Sequence, residues 1–249
     1  MNILTVSEKL KIGILSALVP TVIAILLIAV IAAAVNFISE MGLGDIARKT
    51  EHYSQLAEYA PENATVFFGD SITELCSVED IYAEYSKSSG SPVINRGISA
   101  ETTDHMLERV EDSVIALKPR NVVMLMGVND LSAGVPQEQI TDNIRAMIQL
   151  IKEKSPETNI VLQAVYPTSG KRESLYENYQ LGGRDSATVK ALNEKLAAMA
   201  AEENVRFLDV TALLADEDGN LRNDYTYDGL HPNVSGYLAV RDAIVAELV

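Results

Sequence analysis

Residues 121–154 read NVVMLMGVNDLSAGVPQEQITDNIRAMIQLIKEK and contain the two units from which the rest of the chain is built. The first six residues are an almost continuous apolar run, which is typical of a strand covered on both faces of a parallel sheet. The second unit carries an apolar stripe at helical spacing, formed by Ile140, Ile144, Met147, Ile148 and Ile151. Such a stripe predicts a helix that packs on the sheet.

The same alternation recurs along the chain. Four other short apolar or β-rich runs lie at 65–68, 92–95, 159–165 and 205–209. Helical patterns lie between and after them, at about 78–86, 102–116, 136–154, 186–203 and 233–248. Strands that alternate with amphipathic helices predict one α/β domain over residues 62–249, a three-layer α/β/α sandwich around a five-stranded parallel sheet.

Composition excludes several classes of function. Acidic residues outnumber basic ones 35 to 20, which disfavours binding to the phosphate backbone of a nucleic acid. Cys76 is the one cysteine, so no disulfide can form within the chain. No His, Cys, Asp or Glu cluster has metal-ligand spacing and no G-x-x-x-x-G-K loop is present. The sequence therefore predicts neither a metal nor a nucleotide cofactor.

A long apolar segment lies near the N-terminus. The 24 residues from Ile12 to Val35 carry no charge. As a helix they would extend about 36 Å, enough for a hydrocarbon core of about 30 Å. We expect an uncleaved signal anchor at 12–35, after a tail at 1–11 and before a juxtamembrane linker at 36–61. The alternatives are a signal peptide cleaved near the alanines at 32–34 and a buried core helix.

The flanking charges give an orientation. Lys9 and Lys11 lie directly before the apolar segment, whereas Arg48 and Lys49 lie farther from its other end, beyond acidic residues. The positive-inside rule then predicts a cytoplasmic N-terminus and an extracytoplasmic domain.

Polar residues that could carry chemistry follow the predicted strands. Ser71 comes just after the first strand, in Gly-Asp-Ser, where a tight turn can expose its hydroxyl. Asp228 and His231 lie in one loop before the last helix, at a spacing that lets the carboxylate orient the imidazole. A nucleophilic serine needs such a base and orienter. Each segment alone is equally compatible with an ordinary turn or helix cap.

Together, four segments in order carry a family resemblance: GDSIT at 69–73, NRGISAETT at 95–103, GVND at 127–130 and DGLHPN at 228–233. They resemble the four blocks of the SGNH hydrolases, also called the GDSL esterase/lipase family, and the resemblance extends over 62–249. The branch that resembles this chain most is that of the platelet-activating-factor acetylhydrolases. Ile72 stands where the family name has leucine. The resemblance implies a flavodoxin-like sheet with strand order 2-1-3-4-5.

The resemblance also implies a role for each matching residue. Ser71 would be the nucleophile, His231 the base and Asp228 its orienter. The oxyanion hole would consist of the Ser71 N–H, the Gly97 N–H and the Asn129 side-chain amide. Four further polar residues, Asp70, Asp130, His52 and His105, are expected to have only structural or surface roles.

These observations predict a membrane-anchored serine esterase that hydrolyses short acyl esters, such as O-acetyl groups on a carbohydrate or a small lipid. A lysophospholipase or thioesterase is one alternative, and a non-catalytic module that binds cell-surface glycan is another. The acyl length depends on how segments 72–90, 131–136 and 166–185 fold over the site.

Overall fold

The computed structural model describes residues 6–170 and 181–249, with side chains from Leu18 onward except that of Ser39. The middle of the predicted loop at 166–185, and part of the predicted N-terminal tail, therefore lie outside the described residues. Five strands are present: β1 (Thr65–Gly69), β2 (Val93–Gly97), β3 (Asn121–Leu125), β4 (Asn159–Gln163) and β5 (Arg206–Leu208).

The strands form one parallel sheet in the order β2-β1-β3-β4-β5, which confirms both the predicted sheet and its strand order. The register pairs Gly69 of β1 with Gly97 on one side and with Leu125 on the other. The carboxyl ends of the three neighbouring strands therefore meet at one edge, where ligands bind in open α/β sheets.

Burial explains why the strands are apolar on both faces. Every residue of β1 and β3 is buried, so helices cover the sheet on each side. The stripe predicted on the helix after β3 is completely buried: Ile140, Ile144, Met147, Ile148 and Ile151 are each 0% exposed. The hydrophobic effect of these side chains holds helix to sheet.

The helices are α1 (Val6–Leu56), α2 (Ser71–Glu74), α3 (Val78–Ile81), α4 (Ala83–Ser89), α5 (Thr103–Ser113), α6 (Val128–Ala133), α7 (Gln137–Lys154), α8 (Ser186–Glu202), α9 (Thr211–Leu214) and α10 (Val234–Val245). The helix predicted at 78–86 is instead two short helices that break at Tyr82. Tyr82 is buried, and its ring packs against Phe67 with 4.5 Å between the ring centroids. The backbone leaves helical geometry at Tyr82, the residue whose ring packs in the core.

The described chain divides into two compact units, one ending at Ala47 and one from Arg48 to Val249. In the first unit α1 is apolar, and the side chains described from Leu18 to Ile38 are exposed. By length and composition this helix could cross a membrane, and a signal sequence would meet the same criteria.

The second unit begins well before residue 62, because the last turns of α1 pack on the α/β domain. Lys49 Nζ lies 2.5 Å from Glu74 Oε1, and the Tyr53 hydroxyl donates to Gly97 O at 3.1 Å. The Arg96 guanidinium stacks over the Tyr53 ring, 4.7 Å from its centroid. We call residues 48–56 the docking segment. This part of the predicted linker therefore contacts the α/β domain.

Candidate active site

The turn that follows β1 presents Ser71. A Cβ on Gly69 would lie 2.2 Å from Leu125 O and 2.3 Å from Thr73 Oγ1, so only glycine fits there. Asp70 caps α2 through its Oδ1, which accepts the Ile72 N–H at 2.9 Å. Ser71 is consequently the first residue of α2, at the edge where the strands end.

The structure brings Ser71, His231 and Asp228 together in the predicted order. Ser71 Oγ lies 2.9 Å from His231 Nε2, and His231 Nδ1 lies 2.6 Å from Asp228 Oδ2. The loop is held by Thr226, whose hydroxyl donates to His231 O at 2.8 Å and accepts the Gly229 N–H at 2.9 Å. This arrangement can pass a proton from a serine to an imidazole that a carboxylate orients.

Hydrogen bonds keep the Asp228 carboxylate ionised. Burial alone would raise its pKa, but the His231 side chain, the His231 N–H and the Leu230 N–H all hydrogen-bond to it. These bonds hold the pKa of Asp228 well below its ordinary value. A fixed negative charge therefore faces Nδ1 of His231 at any pH near neutrality.

Two of the predicted oxyanion donors have hydrogens to offer. Within the described part of the chain, the Ser71 N–H has no hydrogen-bond partner. Asn129 Nδ2 donates one hydrogen to Glu101 O at 2.9 Å, which orients the amide and leaves its second hydrogen.

The geometry argues against Gly97 as the third donor. Its N–H already donates to Asn95 Oδ1 at 2.8 Å. A Cβ at this position would lie 2.2 Å from Glu74 N, so close packing against α2 is what requires the glycine. Gly97 therefore has no free N–H to donate to an oxyanion, contrary to the expectation.

Within the described residues, Ala100 offers a free backbone N–H that sequence reasoning missed. Its φ is +66°, a left-handed conformation that costs a non-glycine residue about 1–2 kcal/mol. It is exposed, and its N–H has no partner among the residues that the structure describes. Ile98 N–H donates to Gly69 O at 3.0 Å and Asn129 donates to Glu101 O, so the intervening loop lies beside Ser71 and Asn129. No sequence signal marks an alanine for this conformation.

A buried ion pair supports that loop and was also missed. Arg109 Nε donates to Glu101 Oε1 at 2.9 Å, and a second guanidinium nitrogen donates to Arg96 O at 3.0 Å. Both side chains of the pair are nearly inaccessible, at 1% and 0% exposure. The available signal was an arginine on the buried face of α5, between Met106 and Val110 in helical spacing.

The remaining polar residues have the geometry expected of structural groups. Asp130 accepts hydrogen bonds from the Thr103 N–H and hydroxyl, the latter at 2.6 Å. His105 lies on α5 and His52 on α1, and neither contacts the Ser71–His231 pair. Over the described residues no group of three or more His, Cys, Asp or Glu side chains could hold a metal ion.

Asp70 differs from Asp130 because half of its carboxyl is unsatisfied. Asp70 is 1% exposed, and its Oδ2 has no hydrogen-bond partner in the described structure. Burial raises the pKa of Asp70 to about 7, although the Ile72 N–H and the charges of His231 and Arg184 oppose the shift.

We expect the D70N substitution to remove a pH-dependent loss of stability. An aspartate in the unfolded chain titrates near pH ~3.9. Below that pH the carboxyl is protonated in both states. Between it and pH 7 the native state retains a proton that the unfolded state has lost, so native stability falls as pH rises. The full loss is up to about 4 kcal/mol above pH 7. An asparagine side chain at this position cannot ionise, so the Tm of the full chain in detergent should decline less between pH 4.5 and 7.5 than that of the wild type.

The control for this measurement is D185N. Asp185 is an exposed cap of α8, and hydrogen bonds from the Thr188 N–H and side chain lower its pKa. Its contribution to stability is lost as pH falls, so the control should change the pH dependence slightly and in the opposite direction. Parallel Tm curves for wild type and D70N would contradict a raised pKa at Asp70.

Comparisons with known proteins find relatives in sequence and in fold. Residues 67–239 match the model of the GDSL-like lipase/acylhydrolase family. The human platelet-activating factor acetylhydrolase IB subunit alpha1 is 30% identical over 187 residues, which cover 74% of each chain.

Solved structures are similar in fold. A Streptococcus pneumonia protein, provisionally assigned as a platelet activating factor, has a TM-score of 0.79 at 26% identity and covers 88% of this chain and 99% of its own. An acetyl xylan esterase from Geobacillus stearothermophilus has a TM-score of 0.61 at 21% identity over 76% of this chain and 95% of its own, a similarity of fold alone.

Proposed function

Because this chain belongs to the GDSL-like lipase/acylhydrolase family, whose members hydrolyse ester bonds, we propose that it is a serine esterase acting on short acyl esters. The observation that carries the proposal is the hydrogen-bonded series from Ser71 Oγ to His231 Nε2 and from His231 Nδ1 to Asp228, at 2.9 and 2.6 Å. Its substrates are esters such as O-acetyl groups on a carbohydrate or a small lipid.

The reaction proceeds in two halves through an acyl-enzyme. Ser71 Oγ attacks the ester carbonyl carbon while His231 Nε2 takes the hydroxyl proton. The tetrahedral intermediate collapses, the bond to the alcohol oxygen breaks, and His231 returns the proton to that oxygen. In the second half, His231 takes a proton from water, the hydroxide attacks the acyl carbon, and Ser71 leaves with the proton as the free acid is released.

Three donors stabilise the oxyanion in this proposal: the Ser71 N–H, the second hydrogen of Asn129 Nδ2 and the Ala100 N–H. Ala100 replaces Gly97 because its N–H has no partner among the described residues, whereas that of Gly97 is bonded to Asn95. Each such preorganised donor is worth about 3–4 kcal/mol in the transition state. The strained backbone of Ala100 is consistent with a functional loop.

The acyl preference draws on the curated relatives. The human relative is named an acetylhydrolase, which favours a two-carbon acyl group. The test is the rate of hydrolysis of 4-nitrophenyl esters of increasing acyl length, together with labelling by a fluorophosphonate, which reacts with an activated serine. A preference for long chains would favour the lysophospholipase alternative. A chain that binds glycan without being labelled would favour the non-catalytic alternative.

We also place the enzyme at the membrane, with the segment 12–35 as an uncleaved anchor and the catalytic unit outside the cytoplasm. The support is an apolar helix whose described side chains from Leu18 to Ile38 are exposed. N-terminal sequencing of the mature protein distinguishes this anchor from a signal peptide cleaved near residue 34.

Deletion of residues 1–40 should convert the protein from a membrane-bound to a soluble, active form. The compact catalytic unit starts at Arg48, and all residues of the proposed mechanism follow Phe68. Ultracentrifugation after alkaline carbonate extraction should leave the full chain in the pellet and the truncated chain in the supernatant. The truncated chain should retain hydrolysis of 4-nitrophenyl acetate. Sedimentation of both forms, or misfolding of the shorter one, would contradict the anchor or the domain boundary.

A further inference from the structure

Arg184 lies at the rim of the proposed active site, held there through its backbone. The Thr168 hydroxyl donates to Arg184 O, and the Arg184 N–H donates to Leu181 O at 3.0 Å. The adjacent Ser169 N–H donates to Gly229 O at 2.7 Å, which joins this loop to the turn between Asp228 and His231.

The Arg184 side chain reaches the other side of the site. One terminal guanidinium nitrogen donates to Ser132 Oγ at 2.9 Å. Ser132 and Asn129 are both on α6, three residues apart and so on the same helix face. The Arg184 side chain therefore reaches α6, the helix of the proposed oxyanion donor, from a segment that is hydrogen-bonded through Thr168 and Ser169 to the Asp228 loop.

This arginine has no anionic partner within the described part of the chain. None of the described carboxylates lies within ion-pair distance of it, although acidic residues outnumber basic ones 35 to 20. Its Nε is buried and has no hydrogen-bond partner among those residues. Burial lowers the pKa of Arg184, against the raising effect of the more distant carboxylates of Asp70 and Asp228. A half-buried charge with an unsatisfied nitrogen gains most from an anion that pairs with it.

We infer that Arg184 is the substrate-binding residue for an anionic group, a carboxylate or phosphate, that the ester carries near its scissile bond. The inference rests on the proposed esterase function and specifies its substrate class. A guanidinium presents a planar fork that matches either oxyanion, and Ser132 occupies only one of its terminal nitrogens. Substrates with such a group bind between α6 and residues 181–185.

The test compares two anionic esters with a neutral one in the full chain. The probes are 4-acetoxybenzoate, 4-acetoxyphenyl phosphate and the neutral methyl 4-acetoxybenzoate, all of which are acetyl esters of a phenol. A hydrogen bond to a charged group contributes about 1.5–3 kcal/mol, which corresponds to about 10- to 100-fold in affinity. In R184Q, the ratio of kcat/KM for an anionic ester to that for the neutral ester should fall by about that factor. The anionic ester whose kcat/KM ratio falls more in R184Q identifies carboxylate or phosphate as the preferred group.

Two further variants make the result specific. R184K keeps the charge without the planar fork and should lose less of the ratio than R184Q. R206Q removes a charge that is paired with Glu247. Arg206 begins β5 and so lies at the amino ends of the strands, away from the proposed site at their carboxyl ends. This substitution should leave the ratio unchanged.

A ratio that stays the same in R184Q for both anionic esters would overturn the inference and leave Arg184 a counter-charge of Asp70 and Asp228. A fall of equal size in R206Q would also overturn it, because the effect would then be general charge attraction. Failure of the proposed function looks different: the wild type would hydrolyse none of the three esters, and no fluorophosphonate would label Ser71.

Discussion

Replacement of Ser71 by alanine should lower kcat/KM for 4-nitrophenyl acetate by about 10⁴- to 10⁶-fold, the loss typical when a nucleophilic serine is removed from a triad. Ser71 Oγ lies 2.9 Å from His231 Nε2, and alanine offers no other nucleophile there. Labelling by a fluorophosphonate should disappear as well. The fold should persist, because the cap of α2 comes from the Asp70 carboxylate rather than from the Ser71 hydroxyl.

The control for this substitution is S99A. Ser99 lies in the neighbouring loop, and its backbone N–H donates to Glu74 Oε2 at 2.6 Å, a bond that alanine retains. S99A should still be labelled. Labelling that survives in S71A would show that another residue is the nucleophile.

Replacement of Asp228 by asparagine should lower kcat/KM by about 10²- to 10⁴-fold. The upper limit is the loss caused by the same replacement in the triad of a serine protease. The carboxylate accepts a hydrogen bond at 2.6 Å from His231 Nδ1 and so selects the tautomer whose Nε2 can take the serine proton. Asparagine can present an N–H to Nδ1 and favour the wrong tautomer. The loss is smaller than in S71A because the nucleophile and the oxyanion donors remain.

The pH profile of kcat/KM between pH 5 and 9 tests the same pairing. Asp228 has a pKa held well below its ordinary value, so it stays ionised throughout this range. Removing its charge favours the neutral imidazole, and the acid limb of the profile should move to lower pH in D228N. D224N, in the same loop but paired with Arg222, should leave the limb in place. A limb that is identical in D228N and wild type would mean that Asp228 is not the partner of His231.

The parallel sheet could be predicted because each strand is a local pattern with a repeated physical cause, whereas its strand order was implied by the family resemblance. Runs such as 121–126 are apolar throughout since both faces of β3 are buried, and Gly69 marks a turn where no Cβ fits. The grouping of Ser71, Asp228 and His231 was implied by the family resemblance, because each segment alone is compatible with an ordinary turn or helix cap.

The proposed oxyanion loop could not be predicted, because a backbone N–H belongs to every residue type except proline. The expectation for Gly97 followed the family resemblance. The free N–H instead belongs to Ala100, in a loop held by the bonds of Ile98 to Gly69 and of Glu101 to Asn129. The environment of Arg184 likewise depends on loops that meet only in the folded chain. The contacts of the docking segment could not be predicted for a related reason: the segment is polar and helical, and only its partners in the folded chain reveal that it packs.

The docking segment limits where the N-terminal segment can be exchanged without loss of its contacts with the α/β domain. Lys49 and Tyr53 reach Glu74 and Gly97, which border the nucleophile helix and the oxyanion loop. A gene fusion joined ahead of Arg48 would give the intact hydrolase unit a different targeting segment. If α1 anchors the protein as proposed, a protease that cuts there would release the whole compact unit. A junction or cut beyond Tyr53 would instead remove the contacts with Glu74 and Gly97 beside the proposed active site.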